Sequence, residues 1–479
     1  MFVFVRALVP VGADDFFMYL ALGRRLWIHG EFGATDPYIF TIPDFPWYLW
    51  HEWLSYLISY GTYSVGGFQG VMILRSLLVT LAAALVWKTG QRSHLPAPVT
   101  WIVLAFGFYI AHERCFGDRA SLFSDVVITG LIYLLSDWDW LEARPKLKWG
   151  LPALFLLWIQ LHPGYLIGWG VLGAFIASHF FFWSPKERRE WILVFSLCVL
   201  LPALNPQGFY GLIYPLKVFL KADFQIFREI NSEWMPTLPH YLLGTVYKSL
   251  LVVLLLLTLF LTIRDFRRSG PFKIMMVLLL AYLGLSAVRF VGLAGFGLAA
   301  LILASLEPED TKWRILHSKY TMRSAVALSC AALVFVLMQS TYGPRQLLQE
   351  EPVAAHVPLK AVRFLKALPP GNVFNEYDMG GLLAWELDGK MKIAGHGHLD
   401  QPALVMQNYF RFSYSREDWK RIIVDGQVKY FVAYTSSLIA NPQAGWSTEL
   451  GRSWSPIYQD ERVVIFQNRR VNLSIELNN

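Results

Sequence analysis

Charge is the scarce commodity in this sequence. Only 16% of its 479 residues are Asp, Glu, Lys or Arg, while 55% are apolar. A soluble globular chain carries roughly 25% charged residues. A water-facing surface along the whole chain is therefore excluded. Cysteine is nearly absent, and Cys115, Cys198 and Cys330 stand far apart. Neither a disulfide framework nor a cysteine metal site can be drawn from them. The phosphate fingerprint G-x-G-x-x-G is missing, although Gly380–Gly381 is present, and His51–Glu52 sits in WHEWL rather than in a zinc-binding H-E-x-x-H. The net charge of +7 forms no basic stripe, so nucleic acid is not an expected partner. The first apolar run, residues 1–12, has no small-residue cleavage site and falls short of the about 20 residues of a full crossing. Either Met1 is a late start, or the first helix is truncated or tilted.

What is present is a long alternation of apolar segments and short turns. Two adjacent carboxylates, Asp14 and Asp15, end the first run. An outer loop, 13–69, follows and holds two segments of interfacial type: 16–29, apolar on one side with Arg24–Arg25 on the other, and 53–65, rich in Tyr and Trp. Further crossings are expected at about 70–87, 98–111, 120–136, 149–161, 164–183, 191–204, 241–263, 272–287, 290–306 and 324–339. The expected fold is an α-helical polytopic membrane protein, residues 1–340 with about eleven transmembrane helices, followed by an α/β soluble domain, 341–479.

Lys and Arg sort by side. Five short turns (88–97, 137–148, 184–190, 264–273 and 307–323) hold sixteen of them, and the opposite short turns hold three. The rich side is cytoplasmic by the positive-inside rule. Asp14, Asp15, His51, Glu52, Glu113, Arg114, Asp118, Arg119, His162, Asn205, Glu233 and Arg289 then fall on the extracytoplasmic side, together with the C-terminal domain. In that domain 372–377, 392–395 and 430–434 read as strands, 380–387 and 416–423 as helices, and 455–468 as a hairpin turning at Asp460–Glu461.

Asp14 and Asp15 are the sharpest chemical feature. A carboxylate at a membrane surface can take the proton of an acceptor hydroxyl, and a pair can hold a divalent cation. Alternatively they cap the helix that follows. His51 and Glu52 can orient an acceptor, or Glu52 can simply favour a helix start. Glu113, Arg114, Asp118 and Arg119 share one turn, either as a local salt-bridge cluster or as donors of a phosphate-binding arginine. Arg289 stands between two apolar helices with no acid nearby in sequence, which favours an anionic partner. His162, in LHPGYL, is a turn residue or an orienting group. GHGHLD (395–400) is weak as a metal box.

The order of these pieces resembles the C-type glycosyltransferase superfamily. It is most similar to a bacterial group of uncharacterised membrane proteins related to the protein O-mannosyltransferases and lipid A aminoarabinose transferases. The matching segments are LALGRRLWIHGEF (20–32), ATDPYIFT (34–41), WHEWL (50–54), LHPGYLIG (161–168), LNPQGFYGLIYPL (204–216), SEWMP (232–236) and VFNEYDMGGLLAWEL (373–387). The resemblance implies an integral membrane enzyme of the bacterial inner membrane. It would move a sugar from a polyprenyl-phosphate donor, with inversion, to a glycan, lipid or protein hydroxyl outside the cytoplasm. It further implies Asp14 or Asp15 as general base, and Arg289, Arg119 and Arg114 as phosphate ligands. His51, Glu52, His162 and Glu233 stand beside them as candidate acceptor-side or orienting groups. A divalent cation is possible but not required. The rival readings are a lipid-linked glycan flippase and a non-catalytic envelope assembly protein.

Overall fold

The structure is a computed structural model that describes residues 1–33, 35–41, 49–115, 117–220, 232–240, 244–264, 266–306, 343–397, 427–440 and 453–469. Their contacts divide the chain into two compact units. Residues 1–11, 66–217 and 228–352 form a helical unit, and residues 12–65, 218–227 and 353–479 form a mixed unit. The expected helix 416–423 and crossing 324–339 lie outside the described residues, as does Cys330.

In the helical unit, apolar composition becomes helix almost wherever it was expected. The elements are α1 (Phe2–Arg6), the second half of α3 (Trp53–Arg92), α4 (Ala97–Cys115), α5 (Ser121–Leu135), α6 (Trp138–Glu142), α7 (Leu151–Leu161), α8 (Tyr165–His179), α9 (Pro185–Leu200), α10 (Gly208–Leu220), α11 (Thr245–Arg264), α12 (Phe266–Ser286) and α13 (Val291–Ser305). α2 (Asp14–His29) belongs to the mixed unit. Among the described residues, Trp50–Arg92, Thr245–Arg264 and Val288–Ser305 are long and apolar enough to cross a bilayer, and five shorter apolar helices accompany them. The chain is a multi-pass membrane protein by these helices and by its fold.

Small residues bring the helices together. Cβ atoms built on Gly107 of α4 and Gly295 of α13 would lie 2.7 and 2.4 Å from the other's backbone oxygen. The two helices therefore touch backbone to backbone, the packing that small residues allow where lipid offers no hydrophobic drive. Gly67, at φ 58°, breaks α3 into the two segments expected from the sequence. The polar turns hold helix as well, with α6 inside 137–148 and the start of α12 inside 264–273. SPKERRE (184–190) is not a loop but the start of α9. Ser184 accepts from the Glu187 amide while the Glu187 carboxylate accepts from the Ser184 amide, a reciprocal cap that fixes the helix start.

The mixed unit holds α2, the first half of α3, α14 (Leu359–Lys366), α15 (Gly380–Leu387), α16 (Thr435–Ala440) and a four-stranded sheet. Its strands are β1 (Asn372–Asn375), β2 (Val428–Tyr434), β3 (Trp454–Gln459) and β4 (Val463–Asn468), in the order β1-β2-β4-β3. β1 pairs parallel with β2, with Asn375 opposite Val432, and the β3–β4 hairpin completes the sheet antiparallel. Residues 392–395, expected as a strand, make only single bridges, from Ile393 to Ile39 and to Val373. α2 packs on both α3 and α15. A Cβ on Gly23 would sit 2.1 Å from the Tyr56 carbonyl oxygen, so only glycine admits that crossing.

Candidate active-site residues

The Asp14–Asp15 pair begins α2, and Asp14 is held by another helix. Its two carboxylate oxygens accept from the amides of Gly381 and Leu382, at 3.0 and 3.1 Å. These amides belong to the first turn of α15, where N–H groups lack partners within the helix and the dipole favours an anion. The Gly380–Gly381 pair is explained by this approach. A Cβ on Gly381 would meet the Asp14 carbonyl oxygen at 2.3 Å, and one on Gly380 the His396 Cα at 2.3 Å. The glycines thus serve close packing.

Other acids gather around this contact. Burial holds the Asp14 carboxyl well above the usual carboxylate range, with Asp15 and Asp378 adding to the shift and the Gly381 and Leu382 amides opposing it. Asp378 reaches solvent, yet the surrounding protein mass and the charge of Asp15 raise it too. Asp15 Oδ1 lies 2.8 Å from where a Cβ on Gly397 would stand. Glu376, also raised by burial, accepts from the Tyr434 amide and the Ser437 hydroxyl at 2.7 and 2.8 Å, at the start of α16. Within NEYDMGG, Glu376 and the two glycines thus have definite jobs, and Asp378 joins the acid group.

His51 and Glu52 are both buried, 3.8 Å apart, in the turn that opens α3. His396 Nε2 donates to Asp36 Oδ2 across 2.7 Å, and the other Asp36 oxygen accepts from the amides of Tyr38 and Ile39. The His of GHGHLD that is described is therefore engaged with a carboxylate from residue 36, a partner that sequence spacing did not reveal. His398 and Asp400 lie outside the described residues. Among the described residues, no three His, Cys, Asp or Glu side chains are grouped to hold a metal ion.

The arginines belong to the helical unit. SEWMP organises two of them. Glu233 pairs with Arg119 at 2.5 Å, while the Arg289 guanidinium lies 4.1 Å from the centre of the Trp234 ring. The motif is tied to the end of α12, since the amide and hydroxyl of Thr237 donate to the carbonyls of Leu285 and Gly284, and Val288 donates to Met235. The side chains of Glu113 and Arg114 lie outside the described set. Asp118 pairs at 2.6 Å with Arg75, both almost fully buried, and Arg75 also donates to the carbonyls of Ala7 and Val9. Sequence reasoning missed Arg75 because it lies within an apolar helix, 43 positions from its partner in the turn after α4.

His162 is a turn residue in this geometry. Its Nδ1 accepts from the Gly164 amide at 3.0 Å and lies 2.7 Å from the Ser124 hydroxyl, which in turn accepts from Trp158. Asn205 is buried, bonded to Gln160 and to the Gln207 amide.

No protein-family model matches the chain, and no curated protein matches it in sequence. Solved structures do. The apo oligosaccharyltransferase of Archaeoglobus fulgidus superposes with a TM-score of 0.61 over 96% of this chain and 71% of its own, at 11% identity. ArnT from Cupriavidus metallidurans in the apo state gives 0.57 over 98% and 96%, at 13% identity. ArnT bound to undecaprenyl phosphate gives 0.55 over 97% and 95%, also at 13%. The chain shares the C-type glycosyltransferase fold of these proteins along nearly its whole length, as its sequence motifs suggested.

Proposed function

We propose that this chain is an integral membrane glycosyltransferase that moves a sugar from a polyprenyl-phosphate donor to an acceptor hydroxyl outside the cytoplasm, with inversion. The carrying observation is the fold shared with ArnT, one of whose structures holds undecaprenyl phosphate. About eleven crossings, a bacterial inner-membrane location and an extracytoplasmic C-terminal domain belong to this reading, on the Lys/Arg asymmetry of the turns. A glycan, lipid or protein serves as acceptor.

The two acids divide their work. Asp14 spends both oxygens on the α15 amides, so it acts as the clamp between α2 and α15. Asp15 is the general base. The acceptor oxygen attacks the anomeric carbon from the face opposite the phosphate, and its proton passes to Asp15. The bond from the anomeric carbon to the phosphate oxygen breaks, and the lipid phosphate leaves with the electron pair. Arg289 and Arg119 (with Arg114) neutralise that charge, and stabilisation of a leaving anion is commonly the largest catalytic term. Trp234 and Glu233 hold the first two guanidinium groups in place. His51, Glu52 and His162 remain orienting candidates. No step is routed through a metal.

The test is reconstitution in vesicles with labelled sugar on a polyprenyl phosphate. Label passing from the lipid fraction to an acceptor is expected, with release of polyprenyl phosphate. Movement of intact lipid-linked sugar across the bilayer without its cleavage would replace this reading with the flippase.

A further inference from the structure

A cavity of about 610 Å³ opens within the helical unit where the Lys/Arg-rich turns lie. It is bounded by the ends of α3, α5, α8 and α13 and by the starts of α6, α9 and α12. None of the candidate catalytic residues lines it. Its walls have a graded chemistry. Trp183, Lys273 and Ser305 are buried and Arg92 is half-buried, whereas Asp139 and Glu142 are exposed at the rim.

The inner wall is short of acceptors. Trp183 Nε1, Arg92 Nη1 and Ser305 Oγ are buried with no hydrogen-bond partner among the described residues. An indole N–H and a guanidinium N–H can only donate, and the lysine ammonium adds a third donor-only group. Native proteins rarely leave buried groups such as those of Trp183, Arg92 and Ser305 unmet. One acceptor-rich anion would serve all of them. Arg92 is held from one side by Asp137, at 3.3 Å, and Lys273 donates to the Ala304 carbonyl, so both cations are fixed in the wall. The rim carboxylates ask for the opposite charge, and a purely anionic ligand would be repelled there. Phe182 lines the opening and is 85% exposed, next to Phe181 at 82%. Such aromatic exposure at a helix end suits the headgroup level of a bilayer.

We infer that this cavity is a binding site for a phosphoethanolamine phospholipid headgroup. The phosphate takes the Arg92, Trp183, Ser305 and Lys273 donors, the primary ammonium meets Asp139 and Glu142, and the acyl chains leave past Phe181 and Phe182. The site lies in the leaflet of the Lys/Arg-rich turns and is independent of the transfer chemistry proposed above.

Native mass spectrometry of the full chain, delipidated in detergent and titrated with single phospholipids, tests it. Phosphatidylethanolamine should be retained in preference to phosphatidylglycerol and phosphatidylcholine, and soluble phosphoethanolamine should compete only weakly. Trp183→Phe keeps the ring and removes the N–H. It should weaken retention about tenfold, the size of one hydrogen bond to a charged group. Glu142→Gln with Asp139→Asn should erase the preference over phosphatidylglycerol while leaving phosphate-dependent binding. Equal retention of the three lipids, tight binding of the soluble headgroup, or indifference to both sets of substitutions would overturn the inference.

Discussion

Arg75 offers the most quantitative test of how the helical unit is held. Its guanidinium spans three acceptors: the Asp118 carboxylate at 2.6 Å, the Ala7 carbonyl at 3.3 Å and the Val9 carbonyl. Side chains of Arg75 and Asp118 are only 2% and 1% exposed. Arg75→Met would leave a buried carboxylate without its cation, a loss of about 3–5 kcal/mol. Arg75→Lys keeps the charge but cannot reach in three directions; the Ala7 carbonyl still accepts from the Val9 amide, so the Val9 carbonyl goes unmet at about 1–3 kcal/mol. Replacing both partners, Arg75→Met with Asp118→Leu, removes the orphaned charge and should recover much of the loss. Equilibrium unfolding in mixed micelles would order the variants as wild type, then the double variant and Arg75→Lys, then Arg75→Met. An Arg75→Met protein as stable as wild type, or a double variant no better than the sum of the singles, would refute the reasoning. The same residue fixes the chain at Val9, five positions ahead of Asp14, so loss of Arg75 should also lower activity.

Three further outcomes follow from the geometry. Gly381→Ala puts a Cβ 2.3 Å from the Asp14 carbonyl oxygen, which should cost about 1–3 kcal/mol by overpacking and open α15 to proteolysis. Asp14, Asp378 and Glu376 all have raised folded-state affinities for a proton. Their contribution to stability is complete below the ordinary carboxylate value of about 4 and is lost as pH rises through the higher folded values. Hydrogen exchange at α15 should therefore quicken upward from about pH 4 beyond its intrinsic trend, and Asp378→Asn should flatten that rise; parallel profiles would count against the acid cluster. Trp234→Ala removes the ring beneath Arg289 and should raise the donor KM about two- to fivefold, the worth of an exposed cation–π contact, with kcat nearly unchanged and Trp234→Phe restoring most of the effect.

Local patterns carried much of this structure. Apolar runs bounded by turns marked α4, α5, α7, α8 and α13 to within a few residues, and the Asp460 turn marked the β3–β4 hairpin because its carboxylate accepts from the Arg462 and Val463 amides. The S-x-x-E of Ser184–Glu187 was equally local, yet its Lys and Arg neighbours disguised a helix start as a loop. α14 was not read at all, since its buried positions, Ala361, Val362 and Leu365, occupy barely two turns. Long-range pairing left no such trace. Arg119 meets Glu233 across 114 positions, and Asp14 meets Leu382 across 368. Asp14 looked like a cap for its own helix and instead accepts from the start of another. Sequence alone marks many of the acids and arginines that are out of place in an apolar chain, though not Arg75, and only the folded backbone says what each one touches.

Steady-state transfer from a polyprenyl-phosphate sugar, measured side by side for Asp15→Asn and Asp14→Asn, tests the central claim most directly. Loss of a general base should lower kcat of Asp15→Asn by about 10²–10⁴-fold with the donor KM little changed, while Asp14→Asn should show a smaller fall in kcat together with weakened folding of α15. Full turnover by Asp15→Asn, or a larger kcat loss in a well-folded Asp14→Asn, would contradict the assignment.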